Sequence, residues 1–235
     1  MKPLHRKPRS RPSAAILLLF FPIATRAQDP GFDGSPGVDR WSIKTSIKEH
    51  AKRRNLSLRD IYALDNPISR KGEAPDSARI TKAVGPKNMR EGDMVTTEGW
   101  MKLVALEKAG ADKSDGDYHI QLCTTQAWDD TCLIVEVPWE GFVTDDSLHA
   151  WFANVRQFIR TRILKKNKNP STGGNVIDSA YVAVKGPLFF DAWHLKNDGT
   201  TQKRGKKGNQ STSMNSYTCW EIHPVVSMWF AKRPK

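Results

Sequence analysis

Cysteine is scarce, with three residues in a chain of 235 (Cys123, Cys132 and Cys219), so a disulfide-dense scaffold is excluded. No apolar run approaches the roughly 18 residues that a membrane-spanning helix needs. Several catalytic signatures are also missing. There is no GxSxG elbow, no HExxH helix, no phosphate-binding Walker loop and no dinucleotide fingerprint. Bulk basic character is missing too, although the formal net charge is +12. Residues 1–27 hold six basic side chains and no acidic one, which leaves +6 for the rest. Residues 28–194 are neutral, so the excess lies in 195–235. The charge therefore argues for one local basic region and against a uniformly basic surface.

What is present begins with a leader. Lys2, Arg6, Lys7, Arg9 and Arg11 precede an apolar stretch from Ala14 to Phe21, and Thr25-Arg26-Ala27 supplies small residues before a cut. This pattern predicts a cleaved secretory signal over 1–27 and an exported protein, periplasmic or extracellular. Residues 28–40 are rich in Pro, Gly and Asp and read as a linker. Trp41 to Leu64 shows helix-like spacing, broken near Asn55, and 66–92 reads as irregular. Residues 28–92 are thus expected to be a linker and helical N-terminal extension, with the main domain over 93–235.

That domain alternates differently. Strands are expected at Met94–Glu107, Asp117–Cys123, Cys132–Pro138, Tyr181–His194 and Ser216–Phe230. Gly99 suggests a bulge in the first strand. A helix is expected over 146–166, opened by Asp145-Asp146-Ser147. Its apolar face carries Leu148, Trp151, Phe152, Val155, Phe158, Ile159 and Ile163, with Arg156 and Arg160 off that face and Trp151 and Phe152 in the core. The expected fold is mainly β. The bent first strand, the DYHIQL and CLIVEVP hairpin, the helix, YVAVKGPLFFDAWH and CWEIHPV together resemble the OB-fold, a five-stranded Greek-key barrel with one helix between strands 3 and 4. The segments GDYHIQL, LIVEVP, LFFDAWH and WEIHPV also look like those of exported bacterial proteins of unknown function, a likeness that implies no activity.

The hairpin allows a register argument. Tyr118, Ile120, Leu122, Leu133, Val135 and Val137 alternate with the polar set and would fill the barrel. If Cys123 lies opposite Cys132, partner numbers sum to 255, so His119 faces Glu136 and Gln121 faces Ile134. In an oxidising compartment this arrangement predicts a Cys123–Cys132 disulfide. The fifth strand carries Glu221 and His223 on one face, and His194 ends the fourth. His119, Glu136, His194, Glu221 and His223, with Asp117 nearby, could therefore converge.

Three functions follow from these features. One is a non-enzymatic exported binding module, needing no cofactor. It would contact an anionic polymer such as nucleic acid, or a glycan, through the basic loop 195–215. Lys203, Arg204, Lys206 and Lys207 would meet charge, and Trp193 and Trp220 would stack on rings. The second is a metal-dependent hydrolase of phosphoesterase or nuclease type, with zinc or a similar ion on the His/Glu cluster. The third is a structural module of the cell envelope without a small ligand.

Overall fold

The computed structural model describes residues 40–107, 115–127, 131–205 and 215–234. The expected signal at 1–27, most of the linker, and Lys206 and Lys207 lie outside the described residues. Seven strands and three α-helices are described, in the order α1 (Trp41–Lys44), β1 (Arg53–Asn55), α2 (Leu58–Tyr62), β2 (Met94–Leu106), β3 (Tyr118–Cys123), β4 (Cys132–Val137), α3 (Asp146–Phe158), β5 (Asn175–Phe190), β6 (Trp220–Ile222) and β7 (Ser227–Phe230).

Five of the strands close into a barrel in the order β2-β3-β4-β6-β5, and β5 returns to β2. Every barrel pairing is antiparallel except β4 with β6. The helix α3 lies between β4 and β5, as the OB-like reading requires. The hairpin register is the expected one: His119 faces Glu136, Gln121 faces Ile134 and Cys123 faces Cys132. Tyr118, Ile120, Leu122, Leu133, Val135 and Val137 all join the interior, with Met101, Val104, Val182, Leu188, Phe190 and Ile222. Each such fully buried aliphatic or aromatic side chain contributes roughly 1.5–3 kcal/mol.

The two barrel ends are closed by helices. At one end α3 inserts Phe152 and Val155, and Ile159 just after it joins them. Arg156 donates there to the Gly116 and Val137 carbonyls at 2.9 and 3.2 Å. At the other end α2 supplies Leu58 and Ile61, and the Tyr62 hydroxyl reaches the Thr131 carbonyl at 3.0 Å. The N-terminal extension from Arg40 onward is thus packed on the barrel. Leu56, Leu64, Ile80, Val84 and Met89 belong to the same apolar cluster.

Several expectations are corrected. The helix expected over 41–64 is interrupted by β1, which pairs in parallel with Met94–Thr96 of β2. That part of β2 has β5 on one side and lies before the residues that pair with β3. Its open edge therefore takes β1 rather than solvent. The helical turn resumes at α2, where Ser57 and Asp60 form a reciprocal capping box. The β2 irregularity falls between Met101 and Leu103, not at Gly99. Gly99 is required by contact instead: a Cβ there would sit 2.8 Å from Leu58 Cδ1 and 2.9 Å from the Cys123 carbonyl oxygen.

The expected fifth strand is split at His223–Pro224, a cis bond. Pro224 has no N–H to give to a ladder, so β6 stops and β7 restarts further along β5. The fourth strand ends at Phe190 rather than His194, because the Asp191 carboxylate caps a turn by accepting from the Trp193 N–H at 3.0 Å. In α3, Trp151 is 42% exposed and lies outside the core. Arg156 and Arg160 are buried instead. Arg156 stacks 3.6 Å above the Tyr118 ring and pairs with Glu140 at 3.2 Å.

The disulfide is also corrected: no disulfide joins Cys123, Cys132 or Cys219. Cys123 and Cys132 face each other but lie in a second apolar cluster with Leu103, Ala105 and Ile134. Buried there, they pack as small hydrophobic groups.

Candidate metal centre

The outer face of β3, β4 and β6 is not a solvent face. All six residues of β3 and all six of β4 are buried. Part of the cover is α1, which lays Lys44 over the hairpin, 3.8 Å from Asp115 and 4.0 Å from Glu136. Polar residues that alternate outward therefore meet one another instead of water.

Glu136 is the hub. Its Oε1 lies 3.0 Å from His119 Nδ1, and its Oε2 lies 3.1 Å from His223 Nδ1. His119 Nδ1 is also 3.2 Å from Glu107 Oε1. His223 offers its other nitrogen, Nε2, to Asp117 Oδ2 at 3.1 Å. Two trios result, Asp117–Glu136–His223 and Glu107–His119–Glu136. In each, one potential ligand atom per residue lies within 4.8 Å of the other two. A carboxylate–imidazole set of this kind suits zinc or manganese.

Burial makes the first trio unusual. Asp117 and His223 are fully buried. Their facing atoms are close, yet neither carboxylate oxygen of Asp117 nor either ring nitrogen of His223 makes a hydrogen bond of acceptable geometry. His119 Nε2 is likewise buried without one. Buried polar atoms are normally satisfied, so these point to an unseen partner.

The electrostatics are those of crowded carboxylates. Burial opposes charge on His119, but hydrogen bonds to Glu107 and Glu136 outweigh it and hold the imidazole up at about 10. His223 is likewise raised, by Asp117, Glu136 and Glu221 against the cost of burial. Burial would raise Glu136, but both imidazoles and Lys44 hold it well below the ordinary range. Asp115 is pushed up to about 8, first by burial and then by Asp117.

The other expected residues divide. Glu221 lies 3.7 Å from His223 Nδ1 but is engaged by Arg204 at 2.6 Å. Arg204 also pairs with Asp191 at 3.0 Å, so its guanidinium faces inward. His194 contacts Asp191 at 3.3 Å and belongs to neither trio. Lys203 is exposed, 5.3 Å from the Tyr217 ring. Trp193 is exposed with Lys71 over its ring. Trp220 is fully buried, and its indole N–H donates to the Asp65 carbonyl at 3.0 Å, so it presents no stacking face.

Glu107, Asp115 and Lys44 were missed by sequence reasoning. Glu107 had a readable signal: it follows Leu103 and Ala105 at period two, on the outward side. Placing it beside His119 needed the β2–β3 register, which the sequence does not give. No family model, curated protein or solved structure matches the chain.

Proposed function

We propose that this chain is an exported metal-binding module whose divalent ion sits among Asp117, Glu136 and His223 on the outer barrel face. The observation that carries this reading is the contact between two fully buried side chains, Asp117 and His223, at 3.1 Å without a hydrogen bond between them. An ion held by one ring nitrogen of His223 together with the neighbouring carboxylates would satisfy buried ligand atoms that hydrogen bonds leave unmet. Zinc or manganese fits one imidazole and two carboxylates. The residues around the site explain why an anion is the poorer guest. Asp191 and Glu221 add negative charge, and Lys44 and Arg204 are already committed to the carboxylates.

Of the expected functions, the metal part of the hydrolase reading gains most. Hydrolysis would need an open coordination position and a path for substrate, and Asp117 and His223 are closed off. A binder of an anionic polymer draws less support, because Arg204 turns inward and Trp220 is core.

The test is elemental mass spectrometry on tag-free protein dialysed after exposure to zinc. At least one equivalent is expected, with a clear loss in His223→Ala. Protein that retains no zinc or manganese sinks the reading.

A further inference from the structure

We infer that the cavity between the end of α3, the start of β5 and the end of β7 binds an aromatic phosphate monoester of nucleotide size. The phosphate would lie at Arg162, Lys165 and Lys166, and the ring on Phe230. The cavity shares no residue with the metal trios.

Local structure builds its walls. The helix does not stop at Phe158 but widens into a π turn over Ile159–Ile163, where the Leu164 N–H donates to the Ile159 carbonyl at 2.8 Å. Widened turns of this kind recur at functional sites. The Lys166 N–H then closes the end on the Arg160 carbonyl at 3.0 Å. That closure leaves Lys165 at a φ of 53°, in the left-handed region where a helix end usually places glycine. A lysine held there keeps some backbone strain, and such strain collects at ligand sites. Across the cavity, β5 pairs Val182 with Phe230 of β7, which brings the Phe230 ring to the opposite wall.

Size and lining fit a small organic ligand. The cavity holds about 450 Å³, within the roughly 300–1,000 Å³ of small-molecule sites. Its floor is apolar and fixed: Ile177 and Ala180 belong to the barrel core, and Ile163 and Leu164 pack against it. Phe230 is 47% exposed. Phe158 packs against its ring at 5.1 Å, and the Arg162 guanidinium stands 6.0 Å from its centre. That is the outer limit of a cation–π contact, so the ring still offers a face for stacking.

The charge is one-sided. Arg162, Lys165 and Lys166 are exposed, and among the described residues none of them has a carboxylate partner. Asp178 is the single acid among the described lining residues. Three cations against one carboxylate leave a surplus of two positive charges, which matches the charge of about −1.5 to −2 on a phosphate monoester at neutral pH. Arg233 also lines the cavity but lies over the Trp100 ring at 5.5 Å and is left out of that balance. Inorganic phosphate would use the cations alone and an alkyl chain the floor alone. An aromatic phosphate uses cations, floor and ring together.

The experiment is calorimetric titration of the purified protein with a chelator present, so that no bound metal contributes. The probes are adenosine 5′-monophosphate, adenosine, inorganic phosphate and hexyl phosphate. The monophosphate is expected to bind saturably with a Kd below about 1 mM, and about tenfold more tightly than each of the others. Arg162→Gln and Lys166→Gln, at exposed positions, should each weaken it by about fivefold or more. Phe230→Leu should weaken it by a similar factor and leave inorganic phosphate unchanged. Circular dichroism confirms that the variants fold. No saturable binding, or binding that all three variants leave unchanged, overturns the site. Adenosine bound as tightly as its monophosphate removes the phosphate seat. Inorganic phosphate or hexyl phosphate bound as tightly removes the aromatic seat, and either result overturns the inference. A single-stranded oligonucleotide bound orders of magnitude more tightly than the monophosphate overturns it in favour of a polymer track.

Discussion

At the scale of single residues, His223 is fixed from three directions. Its backbone N–H donates to the Pro187 carbonyl at 3.1 Å, the Phe189 ring packs edge-on at 5.6 Å, and carboxylates face both ring nitrogens. Removing the imidazole leaves Asp117 buried with no other ion-pair partner among the described residues. Breaking a buried charge contact by deleting one member costs about 3–5 kcal/mol. His223→Ala in metal-free protein should therefore lower the melting temperature by roughly 6–20 °C for a domain of this size. Calorimetry checks this, and an unchanged melting temperature would show that the Asp117–His223 contact adds nothing to stability. Lys203→Ala, at an exposed position, should shift stability by no more than about 0.5 kcal/mol. The pairing of His119 with Glu136 was legible because strand alternation and one assumed cross-strand pair fix every other partner. The burial of Arg156 and Arg160 was not. A periodicity argument sends charge to the surface, and only the carbonyls of Gly116 and Val137, brought near by the fold, make an interior guanidinium acceptable.

Among the elements, β2 shows how close packing selects a residue. Gly99 admits both Leu58 of α2 and Leu122 of β3 to within 2.8 Å of where a Cβ would stand, with the Cys123 carbonyl oxygen at 2.9 Å. The backbone contact cannot rotate away. Gly99→Ala should destabilise by about 1–3 kcal/mol through overpacking, read as a lowered denaturant midpoint with an unchanged slope. An unaltered midpoint would show that α2 is loosely seated. Arg156→Ala removes the clamp between α3 and the hairpin and should cost at least about 3 kcal/mol. Most elements were legible in type. The β2–β6 barrel strands and α3 carry clear period-two and helical patterns. The failures came where tertiary edges decide. β1 is a strand because β2 offers it an open edge, and β6 ends because Pro224 cannot donate.

Across the whole molecule, the carboxylate cluster ties stability to pH. His119 faces Glu107, just after β2, and Glu136 from β4. His223 faces Asp117, Glu136 and Glu221, with Lys44 of α1 opposing its charge. In the folded protein His119 holds its proton to about 10, against 6.5 when unfolded. Its contribution is complete below about pH 6.5 and disappears as the pH rises through 10. Asp115 holds a proton to about 8 when folded and 3.8 when unfolded, so ionising it also costs stability across that window. Glu136 has the opposite sign: its folded value lies below 4.5, and its contribution is lost only as the pH falls below that. In each case the slope follows the difference in bound protons between unfolded and folded states. The metal-free protein should therefore be most stable near pH 4–5 and weaken steadily toward pH 10. Zinc should reverse that trend above about pH 6.5. The imidazoles must lose protons to ligate, so metal binding strengthens as the pH rises and adds its free energy where the proton-held network fails. Thermal melts between pH 5 and 10, with chelator and with zinc, separate the two curves. A chelated protein whose melting temperature stays flat would show that the imidazoles are not holding protons among these acids. A zinc curve that merely follows the chelated one would place the ion elsewhere.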